Sequence, residues 1–174
     1  MNTFTIREAG PTDAENIGSL HAQSWKSAYR GLLPDSYLDN NLADERKKYW
    51  SEKLPLLSPK EFVLVAENEQ GIIGFAAVMD KPAKGFDALL DNLHVRPDIK
   101  GQGIGGKLLK AIASNLIRTG RKSFYLWVLK GNTPAEEFYK AHGGEPYDHS
   151  TAVFGGVVVS ETRFVWDRLD GLLE

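Results

Sequence analysis

The chain has 174 residues, of which 42% are hydrophobic and 25% charged, with 21 basic against 23 acidic side chains and a formal charge of −2. That is the balance of an ordinary folded chain with room for a sizeable core, and it offers no basic field to draw nucleic acid or an anionic membrane as partner. The absence of cysteine excludes disulfides, thiolate metal sites and a cysteine nucleophile, and the four histidines show no paired ligand spacing, so no metal is expected. No signal peptide and no apolar span of about 18 residues stands out, so a cytoplasmic location is the default. No repeat or linker divides the chain, so one domain over residues 1–174 is expected.

Residues 3–7 alternate as a short strand does. Thr12, with Glu15 three positions on, reads as a capping box opening a helix that carries Ile17, Leu20, His21, Ser24, Trp25, Ala28 and Tyr29. Gly31 and Pro34 break it, and residues 36–52 read as a second helix ending near Trp50. Residues 61–67 and 71–78 are apolar strands around an Asn68-Glu69-Gln70-Gly71 turn, which makes a hairpin. A polar turn at 81–85 leads into a central strand ending at Val95. Beyond Gly103, the residues Ile104, Leu108, Ala111, Ile112 and Leu116 share one helix face, with Gly120 placed to end the helix. Residues 123–129 form another buried strand. Thr133 as cap, Pro134 at the first helical position and Glu136 completing a capping box open a short helix bearing Ala135, Phe138, Tyr139 and His142. Residues 152–160 and 162–166 read as two closing strands, and the whole order describes a mixed α/β fold around one sheet.

The densest signal is the link after the central strand: Lys100, Gly101, Gln102, Gly103, Ile104, Gly105, Gly106, Lys107. Glycines let the backbone approach a ligand closely, and a helix start offers unpaired N–H groups and partial positive charge. The link is therefore an anion cradle for a phosphate or pyrophosphate. Gly101, Gly103 and Gly106 spell the dinucleotide fingerprint, but five residues separate Val95 from Gly101, and no acid follows Trp127, Val128, Leu129 and Lys130 to hold a ribose. Gly101, Gly106 and Lys107 nearly spell the nucleoside-triphosphate loop, but Leu108 stands where Ser or Thr would hold magnesium.

A longer pattern takes in more of the chain. Leu93, His94, Val95, Pro97 and the loop from Lys100 to Gly105 resemble the acetyl-CoA-binding motif of the GNAT superfamily of N-acetyltransferases, in which a Gln/Arg-x-x-Gly-x-Gly/Ala loop wraps the pyrophosphate. Lys100 departs from the usual Gln or Arg. Further on, Leu126, Trp127, Val128, Asn132, Ala135, Phe138, Tyr139, Gly143 and Gly144 resemble the family's second motif, whose usual ending is Gly-Phe. The resemblance implies a GNAT-like α/β fold, with a central, mostly antiparallel mixed sheet, splayed central strands and flanking helices. It implies acetyl-CoA as co-substrate and a small-molecule or peptide amine as acceptor; a homodimer stays open. Leu93, His94 and Val95, the loop from Lys100 to Lys107, Asn132 and Tyr139 would contact the coenzyme. The N-terminal helical pair would form a wall of the acceptor site, where Trp25 and Tyr29, with Tyr37 and Trp50, either line a pocket or pack on the sheet.

Acetyl transfer needs a held thioester, a deprotonated amine, a stabilised oxyanion and a protonated leaving thiolate. A backbone N–H near Leu93 or Val95 would face the thioester carbonyl. Tyr139, one helical turn after Ala135, is the candidate general acid, because a phenol stays protonated at neutral pH. The general base is Asp91, or water with no side chain. In a regular strand Asp91 shares its face with Leu93 and Val95, whereas a bulge would reverse that parity. A non-catalytic acyl-CoA-binding module of the same fold would need neither Tyr139 nor an acceptor pocket.

Overall fold

The computed structural model describes residues 3–174. Seven strands form one sheet: β1 (Thr5–Glu8), β2 (Phe62–Asn68), β3 (Gly71–Met79), β4 (Leu89–Val95), β5 (Phe124–Leu129), β6 (Glu145–Phe154) and β7 (Val157–Trp166). Their spatial order is β1-β2-β3-β4-β5-β7-β6, and every neighbouring pair is antiparallel except β4 with β5. The helices are α1 (Ala14–Ala28), α2 (Asp35–Asp39), α3 (Leu42–Lys53), α4 (Ile104–Arg118) and α5 (Thr133–Ala141). This is the mixed α/β architecture that the element order predicts, with helices on both faces.

On one face Ile104, Leu108, Ile112 and Leu116 of α4 pack on Leu64, Ala66, Ala76, Val78 and Leu90. On the other, Ile17 and Leu20 of α1 and Trp50 of α3 pack on Val63, Val65, Phe75 and Ala77. Strands β2 and β3 are thus covered on both sides, which is why they read as unbroken apolar runs rather than alternating ones. Each fully buried Ile or Leu here, such as Ile17, Leu108 or Ile112, contributes about 1.5–3 kcal/mol relative to exposure.

Local chemistry departs from the sequence expectation at four places. Thr12 lies inside a 3-10 turn, Pro11–Asp13, and Asp13 takes the capping role: its carboxylate accepts the Gly10 N–H at 2.8 Å and two Arg7 N–H groups at 2.8 and 3.0 Å. The expected single helix over 36–52 is two, α2 and α3, because Asn40 and Asn41 interrupt it; asparagine competes for the backbone and favours helix ends. Thr133 is the first helical residue of α5, with Asn132 in the capping position. The stretch 152–160 is not one strand: Gly155 and Gly156, both with positive φ, turn β6 back into β7. Valines on both sides of that turn disguise it in the sequence.

One irregularity sets up the site. Opposite β3, the register runs Ala77↔Asn92 and then Val78↔Leu90, which leaves Asp91 as the extra residue of a bulge. Leu90, Leu93 and Val95 face α4, while His94 packs on Phe75 on the opposite side. The bulge turns Asp91 away from the face of Leu93 and Val95, so the parity of a regular strand does not hold there.

Where α1 crosses α3, a Cβ added at Gly18 would lie 2.5 Å from Lys47 Cα. Gly18→Ala should therefore lower stability by about 1–3 kcal/mol through overpacking, although alanine is the better helix former. A urea midpoint that stayed put or rose would show that the two helices can separate without cost.

Candidate active site

Strands β4 and β5 pair only at their starts, Leu89 with Tyr125, where the Tyr125 N–H donates to the Ala88 carbonyl at 3.1 Å. Beyond that point they diverge around a cleft of about 380 Å³. Residues 90–95 of β4 line it on one side and Leu126, Trp127 and Val128 of β5 on the other. The β4 backbone facing this gap has no β5 partner past Leu89, so its N–H and C=O groups are free for an extended ligand.

The glycine loop closes one end. Gly101 and Gly103 have φ of +81° and +79°, a left-handed conformation that side chains disfavour, and a Cβ on either would meet no atom within 4 Å. Gly103 caps α4 without a side chain, so the first-turn N–H groups at Ile104, Gly105 and Gly106 are left for a ligand at the positive end of the helix. The space beside these glycines is open, at a helix start suited to an anionic group.

Most of the residues singled out from sequence meet in this one cleft. Leu93, His94, Val95, Lys100, Gly101, Gly103, Ile104, Gly105, Gly106, Asn132, Tyr139, Tyr29 and Asp91 all line it. Gln102, Lys107 and Trp25 do not. The Lys107 ammonium lies 4.7 Å from the centroid of the Phe4 ring. Trp25 is buried against Tyr29 and Phe154, with ring centroids 5.5 and 5.6 Å away, so it supports the wall rather than forming it. Trp50 is fully buried, and Tyr37 packs under the Gly155 turn. Ser24 is a lining residue that the sequence reading passed over. The available signal was a hydroxyl on the buried face of α1, between Leu20 and Ala28.

Burial governs the titratable groups. The Tyr139 phenol is pushed well above the ordinary value by burial, with Tyr29 adding to the effect. Tyr29 is pushed up to about 12 by burial and then by Glu161. Asp91 keeps some contact with solvent yet is crowded by protein; burial raises its carboxyl, against the pull of Lys81, Lys53, the Asn92 amide and Arg46. The Asn92 amide donates to Asp91 Oδ2 at 3.0 Å. Burial, with Lys100 adding to it, lowers His94 to about 3, and its Nδ1 is paired with Ser24 Oγ at 2.8 Å. His21 stacks 4.8 Å from His94, and burial holds it well below the usual value. Trp50 Nε1–H donates to His21 Nδ1 at 3.0 Å, which puts the proton of neutral His21 on Nε2.

On the far side of α5, a Cβ at Gly144 would lie 2.5 Å from the Trp166 ring, and Trp166 Nε1–H donates to the His142 carbonyl at 2.9 Å. Trp166 fills the space that an aromatic residue at position 144 would otherwise take, which explains the departure from the Gly-Phe ending. Among the described residues no group of three or more His, Asp or Glu side chains could hold a metal.

The site is thus a gap at the parallel pair of the sheet, beside a glycine-rich helix start. The Acetyltransferase (GNAT) family pattern matches residues 22–143. The chain is 30% identical over 172 residues to the uncharacterized N-acetyltransferase YuaI of Bacillus subtilis, covering 97% of this chain and 95% of that one. A shorter likeness, 37% over 62 residues and 36% of each chain, is to the thialysine N-epsilon-acetyltransferase of Bos taurus. Its fold is similar to that of the PaiA N-acetyltransferase from Thermoplasma acidophilum in complex with coenzyme A, with a TM-score of 0.73, 22% identity, and 91% of this chain and 98% of that chain covered. The chain belongs to the GNAT acetyltransferase family and is an acyltransferase.

The two depressed imidazoles give a signed prediction. The unfolded chain binds a proton at His94 below about pH 6.5, and the folded chain does not until near about 3; His21 is shifted in the same direction. Stability from this source is complete above about pH 6.5 and falls on acidification by about 1.4 kcal/mol per pH unit for each imidazole. Urea titrations of His94→Asn should therefore show a shallower loss between about pH 6 and pH 4 than the parent chain. Superimposable slopes would mean that His94 is protonated as readily in the folded protein as in the unfolded one.

Proposed function

We propose that the protein transfers an acetyl group from acetyl-CoA to a primary amine on a small molecule or peptide, by direct attack in a ternary complex with Tyr139 as general acid. The observation that carries this reading is that the strand gap, the glycine cradle and a buried Tyr139 share one cleft. The coenzyme, when bound, supplies the activated acyl group. Gly101, Gly103 and the first N–H groups of α4 hold its pyrophosphate. The unpaired edge of β4 near Leu93 and Val95 binds the pantetheine arm as a false strand and offers an N–H to the acyl oxygen. The Asn132 side chain makes no capping hydrogen bond to α5 and is available to hold the same arm.

Tyr139 keeps its proton at neutral pH because burial opposes the phenolate, so it has one to give to the departing sulfur. Asp91 stands at the cleft on the α3 side of the sheet with its carboxyl raised by burial. A raised carboxylate is a better proton acceptor than a solvated one, which suits removal of a proton from the incoming ammonium. The apolar lining keeps competing water away from the acyl group.

Calorimetry with acetyl-CoA, ATP and NAD on purified protein should give heat with acetyl-CoA alone. Tyr139→Phe should then lower kcat by about 100-fold, the usual scale for a lost acid, with acetyl-CoA affinity retained. Binding of acetyl-CoA with no thiol release for any amine would favour a sensor module, and heat with ATP or NAD in its place would overturn the reading from the loop outward.

A further inference from the structure

Two glycines of the cradle are not explained by its turn. Gly105 and Gly106 lie inside α4, so neither needs the backbone freedom that Gly101 and Gly103 use. Each instead makes room for a ring of α5. A Cβ at Gly105 would lie 3.2 Å from the Phe138 ring, and one at Gly106 would lie 3.0 Å from His142 Nε2, with the next imidazole atoms at 3.8 and 3.9 Å. The His142 ring is thus set against the first turn of α4 with Nε2 as its leading atom. Gly105, Gly106, Phe138 and His142 all line the cleft, beside first-turn N–H groups that have no partner within the helix.

The other edge of the ring is fixed. His142 follows the last residue of α5, and its Nδ1 lies 2.7 Å from the Phe138 carbonyl, which also accepts the His142 backbone N–H at 3.2 Å. A carbonyl can only accept, so Nδ1 carries a proton. The Phe138 ring packs on the imidazole with centroids 4.2 Å apart, and Trp166 Nε1–H holds the His142 carbonyl. One variable is left: Nε2 is either a bare lone pair or a donor. A lone pair meets an anion in the cradle with the wrong sign, whereas a protonated Nε2–H meets it with a charge-assisted bond.

The charged surroundings leave that choice to the ligand. Among the described residues no carboxylate lies within 4.0 Å of His142. One turn back on α5 stand Phe138 and Tyr139, which carry no charge at neutral pH; Glu136, Glu137 and Lys140 stand at other spacings. Strand β7 presents Trp166. On α4, Lys107 reaches over Phe4, and Lys110, one turn after Gly106, is exposed. Lys100 lines the cleft, as does Asp91, but Asp91 sits near the start of β4, away from the loop that follows its end.

We infer that His142 is a coenzyme-binding residue: on binding, Nε2 takes a proton from solvent and donates it as a hydrogen bond to the pyrophosphate, so that coenzyme affinity is coupled to pH. The inference rests on the coenzyme reading above and adds a residue and a linkage to it. A histidine titrates within reach of neutral pH, and a neighbouring anion favours its charged form. Proton uptake on binding means tighter binding at lower pH, by at most about tenfold per pH unit for one proton.

Calorimetry of acetyl-CoA binding, in two buffers of equal pH and different ionisation enthalpy, reads the protons taken up. Between about pH 6 and pH 8 the parent protein should take up more than His142→Gln. The coenzyme's 3′-phosphate titrates in the same range and cancels in that difference. His149→Gln, altered on β6, should match the parent. The affinity of His142→Gln should fall by about tenfold near pH 6, as expected for a lost hydrogen bond between charged groups, and the gap should close as the pH rises. A packing role alone would weaken binding equally at every pH. Equal uptake in parent and His142→Gln, or a gap that does not change with pH, overturns this inference and leaves coenzyme binding standing. Should His142→Gln not fold, 3′-dephospho-coenzyme A on the parent protein gives the same reading, because its pyrophosphate has no group that titrates near neutrality; binding without proton uptake then overturns the inference. No binding of acetyl-CoA by the parent protein overturns both readings.

Discussion

The fold depends on a failure of pairing. Strands β4 and β5 are the only parallel neighbours in the sheet, and their register stops after Leu89 and Tyr125. Parallel pairing is the weaker kind, and here it has a crossover helix, α4, to connect the strands. Had the ladder continued, the backbone groups of residues 90–95 would be consumed and no ligand could reach them. The gap stays open because each strand is anchored by its other neighbour: β4 by β3, β5 by β7 over six register pairs from Phe124 to Leu129. The cleft is therefore held by hydrogen bonds outside it, and the two halves of the sheet can be rigid while the space between them is empty of protein.

The bulge at Asp91 follows from the same arrangement. A regular strand would point residue 91 toward α4, into the apolar side that holds Leu93 and Val95. The extra residue sends the carboxyl to the side of Tyr49 and Tyr125, where Lys81, Arg46 and water can moderate its charge. One inserted residue thus separates an apolar wall from a polar one within seven residues of strand. Desolvation by surrounding protein raises Tyr139 and Tyr29 and lowers His94, and it raises Asp91 even though that residue is exposed to solvent. In every case the neutral form gains. The Tyr139 phenol therefore stays protonated at neutral pH.

How much of this could be read from the chain depends on whether side chains or backbone carry the feature. The coenzyme side is built from glycines, a helix start and a strand edge, and these leave sequence marks: Gly101 and Gly103 can adopt positive φ where other residues resist it. The Asn132-to-Tyr139 segment was legible for the same reason, as a cap followed by helical spacing. What escaped was long-range. Nothing local reveals that Trp50 reaches His21, that Trp25 turns inward, or that Trp166 takes the space beside Gly144. The strand turn at Gly155 and Gly156 was legible in principle, because a glycine pair between β-branched runs is turn chemistry. The valines around it outweighed that signal.

The same division explains why acceptor identity is the hardest property to extract from the sequence. Coenzyme A presents a pyrophosphate and an amide-bearing arm, and backbone N–H and C=O groups recognise both; backbone groups are the same in every sequence, so only the permissive glycines show. An acceptor is discriminated by side chains drawn from elements far apart in the chain, and these leave no local pattern in the sequence.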